Sequence, residues 1–339
     1  MRSMDEQADT SVAQTAIPRW RGFNLLEMFT TRSTGQFRED DFRWMSDWGF
    51  YFVRLPMCYT LWTAGDDVYQ IHEPMLEKVD LAVEYGQRYG VHVDLNFHRA
   101  PGYSVNRERE EPFNLWKDEE ALDAFCFHWQ LFAERYAGIS SDQLSFNLVN
   151  EPTNPSDRMS REDHERVIRA AVDVIRKVDP ERLIVVDGLA WGRTVVPELA
   201  DLNVVQSTRA YDPMSVTHYE ANWVREDNWP EPAWPGEYRG ERWDRRALEE
   251  RYRPWIELAR QGTGVHCGEG GAYNRTPHDV VLRWLRDVLE ILTQAGIGYA
   301  LWNLRGPFGI LDSHRTDVAY EDWYGHALDR ALLELLQAF

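Results

Sequence analysis

Two glutamates stand out by what surrounds them. Asn150-Glu151-Pro152 follows directly on the apolar run 144–149, and Glu269 ends the run Val265-His266-Cys267-Gly268-Glu269 before Gly270-Gly271. Pro152 disfavours the αR region for the residue before it, so the backbone of Glu151 is expected to be extended. The glycines flanking Glu269 are expected to let a ligand approach the backbone. Two carboxylates aimed at one pocket from opposite sides suit glycoside hydrolysis, in which one protonates the leaving oxygen and the other acts as base or nucleophile at the anomeric carbon. Taken singly, each reads equally well as a salt-bridge partner at the mouth of a loop. The fold must decide whether the two meet.

Apolar periodicity gives the elements that would position them. Short strand-like runs at 20–26, 50–55, 91–97, 144–149, 183–187, 203–207, 264–268 and 298–303 alternate with helical patterns at 39–48, 73–89, 118–136, 161–178, 194–199, 244–260, 278–293 and 321–336. Gly90 follows one helical pattern, Asp179-Pro180 follows another, and Ser160 with Glu162-Asp163 opens a third, as stop and start signals do. Strict alternation without a Gly/Ser-rich linker predicts a single α/β (β/α)8 TIM barrel with extended βα loops rather than two doubly wound domains. Residues 18–339 would form that catalytic domain, and 1–17 a flexible N-terminal tail. In such barrels chemistry stands at the C-terminal ends of the strands. Strands four and seven face each other across the barrel, so Glu151 and Glu269 are expected at one central pocket. The longest loops at that end, 99–117, 208–243 and 304–319, are rich in Trp, Tyr and Pro.

Further motifs in the same order resemble the family-five glycoside hydrolases, the cellulase family of retaining barrel glycosidases. Asn150-Glu151-Pro152 is similar to that family's acid/base motif after strand four, and Gly268-Glu269 to its nucleophile after strand seven. Arg54 in Val53-Arg54-Leu55-Pro56 matches its strand-two arginine, and His98 in His98-Arg99-Ala100-Pro101-Gly102 its His-x-Ala-Pro-Gly. Trp302 matches the tryptophan that floors the sugar site, and the resemblance runs from about Trp20 to the C-terminus. It implies double displacement with retention, Glu151 as a general acid/base that enters the cycle protonated, and Glu269 as nucleophile. It further implies that Arg54 orients Glu269 and favours its charged form, and that Asn150 bonds the sugar's 2-hydroxyl. Neither a metal nor an organic cofactor is implied. The substrate would be a neutral carbohydrate, first a β-glucan or cello-oligosaccharide, next a β-mannan or mannoside, then an unusual sugar such as a furanoside taken by exo-action.

One stretch departs from the family pattern. Many members carry His-x-Tyr at the end of strand six, then Asn-Pro and Thr-His. This chain has Arg209-Ala210-Tyr211-Asp212-Pro213 and Thr217-His218, so Tyr211 and His218 align while Arg209 replaces the histidine. Arg209 is expected to bring a second cation and five donors to the sugar. A competing alignment puts the histidine at His218 and leaves Glu220 in the tyrosine's place; the first is preferred because it also matches Pro213 and Thr217.

Composition limits the partners. With 37 Lys+Arg against 56 Asp+Glu, the formal net charge of −19 repels polyanions, so neither nucleic acid nor an anionic membrane is an expected partner. The oligomeric state is left open. Three widely spaced cysteines favour neither a disulfide framework nor a zinc site. No apolar leader run is evident in 1–16, which leads to the expectation of a reduced, cytoplasmic protein unless a leader has been removed. Of 15 tryptophans, Trp44, Trp48, Trp129, Trp255 and Trp284 fall in helical patterns and are expected to pack on the barrel. Trp62, Trp116, Trp191, Trp223, Trp229 and Trp234 fall in loops, where indoles stack on sugar rings. The proline-braced segment 229–235 is expected to wall off one end of a groove, favouring exo-action or short oligomers. Two other classes compete: a metal-dependent hydrolase built on His92, Asp94 and His98, with His92 at the wrong end of its strand, and a carbohydrate-binding barrel without catalysis, against which both glutamates argue. Cys267, expected on the same strand face as Glu269, reads as a small buried thiol.

Overall fold

The computed structural model describes residues 17–32, 34–65, 67–105 and 111–339, so the expected tail lies outside the described residues except for Ile17. Strands β1 (Arg21–Asn24), β2 (Phe52–Cys58), β3 (His92–Ala100), β4 (Leu144–Asn147), β5 (Leu183–Asp187), β6 (Val205–Ala210), β7 (Val265–Gly270) and β8 (Gly298–Leu301) pair in ring order. Every pairing around the ring is parallel, and β8 closes on β1 through Arg21 opposite Tyr299. The fold is the expected closed (β/α)8 barrel.

Helices α1 (Glu39–Asp47), α2 (Glu73–Tyr89), α3 (Glu119–Arg135), α4 (Arg161–Val178), α5 (Arg245–Arg260), α6 (His278–Gln294) and α7 (Arg330–Gln337) cover the outside. Helix α4 starts at a capping box: Ser160 Oγ accepts from the Asp163 N–H while the Asp163 carboxylate accepts from the Ser160 N–H. It then buries Val167, Ile168, Ala171, Val172 and Ile175 along one face. Helix α2 ends where Gly90 turns left-handed at φ 66°. Between barrel and helices, Phe97 of β3 stacks on Trp129 of α3 with ring centroids 3.9 Å apart. Trp44, Trp48, Trp129, Trp255 and Trp284 are all buried, as their helical spacing implies. No helix among the described residues is long and apolar enough to cross a membrane.

Two elements differ from the sequence expectation. The helical pattern at 321–336 is a hairpin, Glu321–Trp323 with His326–Leu328, followed by the shorter α7. Tyr324 and Gly325 both have positive φ and make the two-residue turn, and Asp329 caps α7 by accepting from the Leu332 N–H. Apolar spacing alone read through that turn. The expected helix at 194–199 is instead a 3-10 turn at Pro197–Leu202. The Gln206 side chain bonds both the N–H and the C=O of Val196, holding the preceding residues out of a helix.

Candidate active site

Strand β7 departs from regular pleating just where it matters. Its register slips between Cys267 and Glu269, so that Cys267 stands opposite Thr208 but Glu269 stands opposite Arg209 of β6. Such a bulge re-aims a side chain. Cys267 therefore does not share the face of Glu269: it belongs to the hydrophobic core, where burial pushes its thiol up to about 12. Gly268 serves the site differently from expectation. A Cβ there would stand 2.6 Å from Ser207 Oγ and 3.2 Å from Arg209 Nη1, so the glycine makes room for protein groups beneath Glu269. Gly270 likewise clears Ala210.

Glu269 is buried and held at both oxygens. Arg54 Nη1 donates to Oε1 at 2.5 Å, Arg209 Nη2 lies 3.4 Å from the same oxygen, and the Tyr211 hydroxyl donates to Oε2 at 3.2 Å. Tyr211 stays a neutral donor, because burial and the charge of Glu269 raise its phenol far above the ordinary value. Arg54 is fully buried and donates in addition to Asn24, Asn147 and Asn150.

Glu151 has another environment. Its backbone is not extended as Pro152 suggested but left-handed, with φ 49°. Two hydrogen bonds pin that peptide: the Glu151 N–H donates to Asp187 Oδ2 at 2.9 Å, and the Tyr103 hydroxyl donates to the Glu151 carbonyl at 2.6 Å. Pro152 excludes αR, and these bonds select the rarer of the remaining regions. Arg209 Nε donates to Glu151 Oε1 at 3.0 Å. Burial first, and the nearby charge of Glu269 second, raise the Glu151 carboxyl to about 7. The strand ends thus gather two carboxylates around one guanidinium, Arg209, and hold them by different partners.

Asn150, His98 and Trp302 line the same region. Asn150 Oδ1 accepts from both Arg54 and Arg209, and Nδ2 faces His98 Nε2 at 3.3 Å. Nδ2 is a donor, so Nε2 accepts and the His98 proton sits on Nδ1, which has no hydrogen-bond partner among the described residues. Burial and the two guanidiniums push the His98 pKa well down, keeping the ring neutral. The His98 ring stacks on Trp302 with centroids 5.5 Å apart, while Phe29 meets both rings edge-on. His218 pairs with Thr217 Oγ1 at 2.9 Å and meets Tyr211 edge-on at 5.1 Å, a step away from the carboxylates. Tyr211, not Glu220, reaches Glu269.

A sequence profile of the cellulases, glycosyl hydrolase family 5, matches residues 9–307. The chain belongs to glycosyl hydrolase family 5. It is a glycoside hydrolase of the cellulase kind. Endoglucanase C of Acetivibrio thermocellus is 24% identical over 310 residues, covering 84% of this chain and 88% of that protein. Cellodextrinase A of Ruminococcus flavefaciens is 26% identical over 270 residues, covering 77% and 76% respectively. The crystal structure of a glycoside hydrolase superposes with a TM-score of 0.91 at 42% identity, covering 94% of this chain and 99% of that one.

Within this family 5 barrel several loop tryptophans turn out to be core. Trp62 is fully buried with its Nε1 donating to His128 Nδ1, and Trp116 packs between Tyr103 and His164. Trp234 donates to Asp287 of α6 and its carbonyl accepts from Arg283, so the segment 229–235 is fastened to the outer helix layer at that point. Trp191 remains half-exposed beside the loop after β4, where its N–H bonds the Pro152 carbonyl. Trp223 is exposed and meets Tyr273 edge-on at 4.9 Å. Trp229 is half-buried against Tyr219. His92 and Asp94 do not converge with His98: Ser145 Oγ bridges His92 Nε2 and Asp94 Oδ1, whereas His98 lies at the mouth beside Trp302. Asn24, Asn147 and Asp187 were missed from the sequence. Asp187 carried a usable signal, since it ends the run 183–187 where barrel chemistry resides. Asn24 and Asn147 end β1 and β4, but they fell inside the longer apolar runs 20–26 and 144–149 and so carried none.

Proposed function

We propose that this family 5 hydrolase cleaves β-glucosidic bonds of cello-oligosaccharides or β-glucan by double displacement, with Glu151 as acid/base and Glu269 as nucleophile. The observation that carries the mechanism is the unequal holding of the two carboxylates. Glu269 accepts from Arg54 at one oxygen and from Tyr211 at the other, which fixes the orientation of its carboxylate. Glu151, raised to about 7, still carries its proton in mildly acidic solution. In the first step a Glu269 oxygen bonds to the anomeric carbon as the bond to the leaving oxygen breaks, and Glu151 gives that oxygen its proton. In the second step the Glu151 carboxylate takes a proton from water, the water oxygen bonds to the anomeric carbon, and the ester to Glu269 breaks. Two inversions leave the configuration retained.

The remaining residues serve binding. With Asn150 Oδ1 taken by two guanidiniums, its second amide hydrogen is left for the sugar's 2-hydroxyl. Trp302, backed by His98, supplies an apolar face for the ring, and the His98 Nδ1–H supplies a donor. The β-glucan substrate class is supported by relatives named endoglucanase and cellodextrinase. The test is release of 4-nitrophenol from the β-cellobioside, β-mannoside and α-L-arabinofuranoside, alongside cellotetraose digestion. The reading requires the cellobioside and cellotetraose to be preferred; faster turnover of the mannoside or furanoside would replace the substrate while leaving the mechanism in place.

A further inference from the structure

Arg209 stands where many family members have a histidine, and its donors are all occupied by the protein. Nε donates to Glu151, Nη1 to Ser207 Oγ and the Thr208 carbonyl, and Nη2 to Asn150 Oδ1 and Asp187 Oδ2. A guanidinium has five N–H groups, so none is left for a sugar hydroxyl. Asp187 is fully buried and works on both sides of the same residue: Oδ2 accepts from Arg209 and from the Glu151 backbone N–H, while Oδ1 accepts from Asn147 at 3.1 Å. One carboxylate thus grips the peptide of Glu151 and the cation that holds its side chain. Arg54 Nη2 is 3.8 Å from Asp187, which ties the pair to the holder of Glu269.

Charge balance gives this geometry a consequence. The cluster contains two guanidiniums, Arg54 and Arg209, and three carboxylates, Asp187, Glu269 and Glu151. It is neutral when Glu151 carries its proton and negative when Glu151 ionises. Arg209 and Asp187 enter as a pair of zero net charge, so losing one tips the balance and losing both restores it.

We propose that Asp187 and Arg209 act together as positioning residues that set the proton affinity of the acid/base Glu151, in place of the histidine usual in the family. This rests on the assignment of Glu151 above. Facing Glu151 are Glu269 from β7, Arg209 from β6, Asp187 from β5, Tyr211 and Arg193 from the loops after β6 and β5, and Tyr103 from beyond β3. Asp94, deeper on β3, adds to the field at both guanidiniums, and His98 stays neutral. Among the described residues, only Arg209 and Asp187 bond Glu151 directly at side chain and backbone N–H.

The test is the descending limb of kcat/KM against pH for hydrolysis of 4-nitrophenyl β-cellobioside. Arg209→Gln removes a cation, so the Glu151 proton is held more tightly and the limb moves up; Asp187→Asn removes an anion, so the limb moves down. Each shift is expected at about 1 to 3 pH units, the scale of a neighbouring charge. The double variant returns towards the wild-type limb. A purely structural role would lower kcat in each variant without opposed shifts. Should Asp187→Asn fail to fold by circular dichroism, Arg209→Gln and Arg209→Lys decide: the first must move the limb up, and the second, which keeps the charge, must bring it back. Unshifted limbs, or shifts of one sign, in variants of an enzyme that Glu151→Gln inactivates overturn the proposal alone. Full activity in Glu151→Gln overturns the acid/base assignment and the proposal with it.

Discussion

At the bottom of the barrel Trp20, Phe52, His92 and His266 stack in one cluster, with Trp20 and His92 centroids 4.3 Å apart and Phe52 and His266 4.5 Å apart. At the top, equally buried, Arg54, Arg209, Asp187 and Glu269 form a hydrogen-bonded charge cluster. Desolvation opposes charge in both places. At the bottom no carboxylate among the described residues meets the imidazoles, so burial drives His92 down to about 4 and His266 to about 3, and both rings are neutral. At the top each cation finds an anion and nearly every N–H an acceptor, so charge persists. Ser145 joins the two regimes by bonding His92 Nε2 at 2.8 Å and Asp94 Oδ1 at 2.7 Å. Burial alone therefore does not mark function in this barrel. The distinguishing feature is a partnered charge cluster that becomes neutral only when one member, Glu151, takes up a proton.

The contrast can be broken from either end. Removing the top carboxylates costs most: Glu269→Gln and Glu151→Gln are expected to fold and to lose about 10²- to 10⁴-fold in kcat/KM on 4-nitrophenyl β-cellobioside. Near-wild-type turnover by either would dissolve the distinction between the two regions. At the bottom, Phe52→Ala removes a ring packed on His92 and His266, and is expected to cost about 3–5 kcal/mol in urea unfolding while leaving KM unchanged. A KM raised in proportion to the lost stability would tie the bottom to binding. Next is the pH profile of the unmodified enzyme. The acid role proposed for Glu151 needs its protonated form, and its pKa is raised to about 7, so the descending limb of kcat/KM is expected as pH rises through that value. A limb already falling at the ordinary glutamate value of 4.5 would remove the physical basis of the acid role. The smallest effect is expected of His266→Phe, whose two ring nitrogens have no hydrogen-bond partner among the described residues: less than about 1.5 kcal/mol in stability and no change in the pH profile.

How far the sequence carried follows from the same physics. Helix spacing with caps, as at Ser160 and Gly90, located α2 and α4 to the residue, and alternation of elements gave the barrel. Glu151 and Glu269 were legible because a strand end is a position that periodicity can find. The backbone at Glu151 was not, since Asp187 and Tyr103 arrive from distant elements and override the local preference set by Pro152. The face of Cys267 was misread because one register slip in β7 reverses alternation. Trp62, Trp116 and Trp234 looked like loop binders because burial of a loop residue depends on what packs over it, which spacing does not encode. Arg209 was expected to face the sugar, yet its donors meet five protein acceptors drawn from three strands and their ends.

The central claim is that two differently held carboxylates perform double displacement. It is tested most directly by proton NMR of the first sugar released from an aryl β-cellobioside, recorded before mutarotation. The account predicts the β-anomer, formed with retention. First appearance of the α-anomer would show a single inverting displacement and would contradict the role given to Glu269.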